Sequence, residues 1–212
     1  MPKTNSKSSV LEINPKREQI LQGAMKVFLQ HGYAGASMDR VAEVARVSKN
    51  TIYNHFQDKE GLFTALIEQI TTNRFQIVFG SVPLKGEPAV VLRQIAEKLL
   101  SVILPDSEYI SFLRLLIAES ERFPKLAQLF ISHLPKKVLS ILSEYFRSHP
   151  ELNLPNPEVT ARIFMSSLMG YVLTQEILQG KEIIPLSQED LIASLIILIS
   201  DRNHEQDSSS MP

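Results

Sequence analysis

The 212-residue chain contains no cysteine, so disulfide bonds and thiolate chemistry are excluded. Their absence suits a reducing compartment such as the cytoplasm, where the protein is expected to act. Long hydrophobic runs are also missing. The longest, Leu191 to Ile199, is too short to span a bilayer, so no membrane association is expected. Met1 to Ser9 is polar and lacks the apolar stretch of a secretory signal. The alternation of apolar and polar residues that marks strands is missing throughout. Signals for metal or catalytic chemistry are equally thin. His31, His133, His149 and His204 are scattered, with no partner at i+4. Glu119 and Glu121 are two apart on a helix and do not face each other. No metal, cofactor or enzymatic activity is expected.

What is present is helical periodicity, punctuated by caps and prolines. Asn14-Pro15 reads as an N-cap followed by proline at the first helical position. Ile20, Ala24, Val27, Phe28 and His31 then recur at helical spacing, and Gly32 stands where a left-handed residue would end the helix. Ser37 caps a short helix from Met38 to Ala45, Ser48 another to about Phe56, and Asp58 a longer one to about Phe79. The spacing places Leu62, Phe63, Leu66, Ile67 and Ile70 on the inner stripe of that third helix. The segment 80–87, with Pro83 and Gly86, is the expected domain boundary. Beyond it, Pro88, Asp106 or Ser107, Pro124 and Asn156-Pro157 open further helices, and Pro135 is expected to break or kink one. Ser187 with Asp190 forms a capping box for the last helix. Residues 1–13 and 202–212 are polar and expected to be frayed or disordered.

The organisation expected is all-α: a helix-turn-helix domain over 14–60, a connecting helix over 61–79, and a helical regulatory and dimerisation domain over 87–201. The charge follows this division. Residues 1–60 carry nine Lys/Arg and six Asp/Glu, a net +3, and the remainder nets −4. A basic end on an acidic body is compatible with one end touching phosphates.

The stretch 32–68 carries the functional information. Two helices too short to be stable alone flank the turn Arg46-Val47-Ser48. Val41, Ala42, Ala45, Val47 and Ile52 point inward, and the two alanines permit close helix approach. Ile52 and Phe56 meet the packing needs of the second helix. Lys49, Asn50, Thr51, Tyr53, Asn54 and His55 remain for its other faces, a density of hydrogen-bonding groups suited to the major groove. Asn can pair with adenine, Thr can touch a thymine methyl, and Tyr53 and His55 are placed for phosphates. Lys59, at the first turn of the next helix, is expected to add charge to a phosphate site. Ser37, Met38, Arg46 and Ser48, around the turn, complete the expected DNA-contacting set.

Residues 16–68 resemble the DNA-binding domain of the TetR family of bacterial regulators. The resemblance runs through Gly32-Tyr33, Ser37, Val41-Ala42, Ala45 and Val47-Ser48, then Thr51-Ile52-Tyr53, His55-Phe56, Lys59-Glu60 and Leu62. Phe112 to Phe130, with Ala118-Glu119 and Phe123-Pro124, is similar to the regulatory domain of an AefR-like subgroup. The resemblance implies an all-helical homodimer whose C-terminal domain often binds a small ligand. Arg46 departs from the family, which usually has glycine there. Either the turn geometry shifts, or the cation is tolerated at a helix C-terminus.

The C-terminal half carries two further expectations. Phe112, Leu116, Phe130, Met165, Met169 and Tyr171 are expected to line a site for an apolar or weakly polar effector, with no cluster of Arg or Lys to recruit a highly charged one. Ile192, Leu195, Ile196, Leu198 and Ile199 nearly encircle the last helix. With Ala161, Ser166, Ser167 and Gly170 on the preceding one, they predict a homodimer through residues 158–200. The reading is a transcriptional regulator, a repressor released from a palindromic duplex operator by a small molecule. The alternative is an all-helical small-molecule-binding protein or enzyme without DNA binding.

Overall fold

The computed structural model describes residues 14–80 and 84–200. The expectations for residues 1–13 and 202–212 lie outside the described residues. Ten α-helices are present among the described residues, and five of them open on proline: α1 (Pro15–Gly35), α5 (Pro88–Ile103), α7 (Pro124–His133), α8 (Pro135–Arg147) and α9 (Pro157–Val172). Proline suits that position because its missing N–H is one that the helix start leaves unbonded anyway. The others are α2 (Met38–Ala45), α3 (Lys49–Phe56), α4 (Lys59–Phe79), α6 (Ser107–Glu119) and α10 (Gln188–Ser200).

Two compact units meet between Leu66 and Ile67, inside α4 rather than at the segment 80–87 where the composition shifts. The first turns of α4 belong to the first unit because Phe63 is edge-on to Phe28, at 4.8 Å, and to Tyr33, at 5.1 Å. In that unit Asn14 caps α1 by accepting from the backbone N–H of Lys16 and Arg17. Gly32 has a positive φ of 69°, as its position suggests. Its ψ of 170° is extended rather than left-handed, and the chain resumes helical geometry for one more turn to Gly35 instead of stopping. This conformation is open essentially to glycine alone.

The second unit, from Ile67, packs α5, α6, α8, α9 and α10 about Leu92, Ile95, Phe112, Leu142, Phe146 and Phe164, all fully buried. Pro135 does break its helix: α7 ends at His133 and α8 begins two residues later. Past Val172 the chain widens into a π-helical turn, Leu173–Ile177, in which Leu178 N–H reaches back to Leu173 O at 2.9 Å. Arg114 holds that turn by donating to the carbonyls of Glu176 and Ile177. Ser187 Oγ accepts from Asp190 N–H and donates to its carboxylate, closing the cap on α10. Ile192, Leu195, Ile196 and Ile199 are buried within their own chain, whereas Ile197 and Leu198 are exposed. The apolar excess of α10 is thus split between a core face and a free face. Among the described residues no helix is long and apolar enough to cross a membrane.

Candidate functional site

The first unit builds a rigid turn between two short helices. Ser37 Oγ accepts from Arg40 N–H to start α2. Gly23 of α1 lets α2 approach closely: a Cβ there would lie 2.7 Å from Ala45 Cβ. Gln19 of α1 donates to Ala45 O at 2.6 Å, satisfying a carbonyl that the end of α2 leaves unbonded. The turn geometry does not shift to suit Arg46. Its backbone is left-handed, φ 52° and ψ 50°. Arg46 N–H bonds to Glu43 O, and Val47 N–H reaches back to Ala42 O at 3.0 Å. This paired arrangement normally places glycine at the left-handed position.

Ser48 then opens α3, accepting from Thr51 N–H at 3.1 Å while its hydroxyl pairs with that of Thr51. Ile52 and Phe56 are buried, Asn50 and Asn54 are exposed on the opposite side, and Lys49, Tyr53 and His55 are exposed around them. Lys49 bonds to Asp39 of α2, which raises the lysine pKa. That pair ties the start of α3 to α2.

Two of the expected DNA-contacting residues are placed otherwise. Met38 is only 8% exposed and belongs to the core, because the first residue of α2 turns inward. Lys59 was expected to meet phosphate. Its ammonium instead donates to the carbonyls of Tyr33, Ala34 and Ala36, at 2.9, 3.3 and 3.2 Å, and sits 4.8 Å from the centre of the Tyr33 ring. All three donors are used to close the last turn of α1. Burial, together with nearby Glu60 and Asp58, pushes the Tyr33 phenol up.

The α3–α4 junction holds a residue the sequence reading passed over. Gln57 has φ 61° and ψ −55°, and Asp58 N–H bonds to Phe56 O at 2.6 Å. This is the rarer, strained γ-turn. It folds the Phe56 carbonyl against Gly61, where a Cβ would lie 2.3 Å from that oxygen. Asp58 Oδ1 accepts from Gly61 N–H at 2.7 Å, as expected of the α4 cap. The signal was available as an isolated glycine inside a helical pattern.

The second unit contains a cavity of about 790 Å³, walled by α4, α5, α7, α8 and α9 and by Tyr109 of α6. Phe130, Met165 and Met169 line it; Phe112, Leu116 and Tyr171 do not. Phe112 and Leu116 are core, with Phe112 lying behind Phe130 at 6.3 Å between ring centres. Tyr171 faces a separate shallow depression beside Gln175 and Lys181. The wall is also more cationic than expected, with Arg74, Lys136, Arg147 and Arg162 on it. Arg74 donates to Val102 O and pairs with Asp106. Burial alone would raise the Asp106 pKa, but the Tyr109 N–H and the Arg74 guanidinium hold it below its usual value.

A three-helix unit with a tight, capped turn and a solvent-facing polar second helix defines a helix-turn-helix DNA-binding regulator. Comparison with known proteins gives the family. The description "Bacterial regulatory proteins, tetR family" matches residues 20–66. "AefR-like transcriptional repressor, C-terminal domain" matches residues 90–199, about half of the chain. The chain belongs to the TetR family and is a DNA-binding transcriptional regulator. It is 28% identical over 186 residues to the uncharacterized HTH-type transcriptional regulator YvkB of Bacillus subtilis, spanning 85% of this chain and 93% of that one. Over 67 residues it is 39% identical to the HTH-type transcriptional repressor AcnR of Corynebacterium diphtheriae, 32% of this chain and 35% of that one. Among solved structures, the flavonoid-responsive regulator FrrA superposes with a TM-score of 0.73 at 26% identity, over 87% of this chain and 95% of that one.

Proposed function

We infer that the protein is a homodimeric repressor that holds a palindromic operator through α3 and releases it when a small molecule occupies the cavity of the second unit. The observation that carries this reading is the exposed polar face of α3. Asn50, Tyr53 and Asn54, with Lys49 and His55 exposed beside them, stand on a helix that Ile52 and Phe56 lock into the unit. In this reading Asn50 and Asn54 read base edges and Thr51 offers its methyl. Tyr53, His55, Lys49 and Arg46 hold phosphates, with the capping serines Ser37 and Ser48 beside the backbone. The N-terminal likeness to a repressor supports the sign of regulation, and the likeness to a flavonoid-responsive regulator supports release by a small molecule.

Val159 and Ile163, one turn apart on α9, and Ile197 and Leu198 on α10 are exposed apolar residues that a partner's equivalent helices would cover. A Cβ on Gly170 would meet nothing within 4 Å, which leaves α9 flat on that side. A cytoplasmic regulator pairing its subunits here would bring two copies of α3 to one palindromic operator. An effector can shift this dimer only by binding one of its states more tightly than the other.

The test is selection of bound duplexes from a random pool, followed by a salt titration on the selected site. A palindromic site, and affinity lost in Asn50→Ala and Tyr53→Ala, are expected. Binding that shows neither sequence preference nor salt dependence would overturn the reading.

A further inference from the structure

The cavity of the second unit is unevenly charged. Four cations line it, Arg74, Lys136, Arg147 and Arg162, against one carboxylate, Glu158. Two of the four are balanced: Arg74 by Asp106, and Arg147 by Glu158 and Glu144. Among the described residues, Arg162 and Lys136 have no carboxylate within salt-bridge distance. The charge left over is therefore positive, and it faces a wall that is otherwise mostly apolar, with Tyr109, Ser140, Ser143 and Ser166 its uncharged polar residues.

Arg162 is placed to use that charge. Arg162, Met165, Ser166 and Met169 follow at i, i+3, i+4 and i+7, so one face of α9 presents them all to the cavity. Arg162 and Ser166 lie one helical turn apart, both are exposed, and neither side chain is used in a hydrogen bond to another described residue. A planar guanidinium matches a carboxylate or phosphate through two parallel bonds, and a neighbouring hydroxyl can add a third. Lys136, by contrast, sits beside Pro135 at the far end of α8. Across the cavity, Tyr109 is 4% exposed and its hydroxyl has no partner among the described residues. Burial pushes that phenol up to about 12, so it stays a neutral donor at physiological pH.

We propose that the ligand of this cavity is an amphipathic acid, with an apolar body among Leu99, Ile103, Phe130, Val138 and Met169 and an ionised head held by Arg162 and Ser166. This rests on the reading of the cavity as the effector site. It replaces an expectation of an apolar or weakly polar effector, which followed from residue types that included the core residues Phe112 and Leu116. The unpaired guanidinium becomes visible only once α8 and α9 are seen to share the cavity.

The test is calorimetric titration of the full-length protein with decanoate, decyl phosphate, decanol and decylamine, each below its aggregation threshold. Decanoate or decyl phosphate should bind at least about tenfold more tightly than decanol, the scale of one charge-assisted bidentate contact. The order of those two distinguishes a carboxylate from a phosphate head. Arg162→Gln should erase the preference while leaving decanol unchanged. Glu158→Gln, which removes the one carboxylate on the wall, should tighten decanoate several-fold. Decanol binding as well as the acids, a preference for the amine, or a preference abolished by Lys136→Gln but kept in Arg162→Gln would each overturn the proposal and leave the cavity reading standing. Binding of none of the four probes would bring down the cavity reading with it.

Discussion

The carbonyl oxygen of Phe56 stands 2.3 Å from the point where a side chain on Gly61 would begin. The last residue of the recognition helix and the first turn of α4 are thus locked together through a position that admits only hydrogen. The γ-turn at Gln57 brings the carbonyl there, and the bond from Gly61 N–H to Asp58 fixes the other side. Gly61→Ala should force this junction open, at a cost of about 1–3 kcal/mol for an overpacked contact that backbone atoms cannot yield. Denaturant unfolding checks it, and an unchanged midpoint would show that the junction relaxes freely.

Lys59 offers a sharper test, because two roles predict opposite readouts. If its ammonium closes α1 through the carbonyls of Tyr33, Ala34 and Ala36, Lys59→Met should lower stability by about 1–3 kcal/mol and leave the salt dependence of DNA binding unchanged. If it neutralises a phosphate, stability should hold and the salt slope should fall by about one. The geometry favours the first outcome. Unfolding and salt titrations on the same variant decide between them.

Arg46 is expected to trade stability against DNA affinity. Its left-handed backbone costs a non-glycine residue about 1–2 kcal/mol. Arg46→Gly relieves that cost, although the freer unfolded chain takes part of the gain back. A net rise of under about 1 kcal/mol is expected, with weaker operator binding because an exposed cation beside α3 is lost. A variant that is more stable and binds equally well would remove Arg46 from the phosphate set.

The dimer surface can be separated from the core on one helix. Leu198 is 67% exposed and Leu195 is 5% exposed, three residues apart on α10. Leu198→Glu should give a folded monomer in sedimentation velocity, because the new charge stays solvated when the partner is absent. Leu195→Glu should instead unfold the second unit by burying an unpaired charge. A Leu198→Glu protein that remains dimeric would move the interface elsewhere.

What was legible in the sequence is what local chemistry determines. Asn14, Ser37, Ser48, Asp58 and Asn156 each cap a helix within three residues of themselves, so their spacing suffices to place helix starts. The inner residues of α3 were legible for the same reason. What was not legible depends on long-range placement. Met38 and Lys59 look like surface residues until α1 is known to lie over them. Phe112 and Leu116 share a residue type with the cavity lining but are buried in the core instead. Gly61 stands out as an isolated glycine in a helical pattern, but the contact that requires it depends on the γ-turn at Gln57, which glutamine does not announce.

The cavity itself can be tested by filling it. Met169 is half-buried and lines the space with Met165 and Phe130, on the same α9 face as Arg162. A dry, solid core would not admit an indole there, because protein interiors are packed to crystal-like density and added atoms push neighbours off their rotamers. A cavity of about 790 Å³ has room for it. Met169→Trp should therefore fold, dimerise and bind operator as the unmodified protein does, while losing affinity for decanoate in the calorimeter and ceasing to release DNA when decanoate is added. The three properties separate the possible readings. Loss of folding would mark the position as filled core and move the ligand site elsewhere. Retained folding with unchanged decanoate affinity would mean that the acid binds outside the space that Met169 lines.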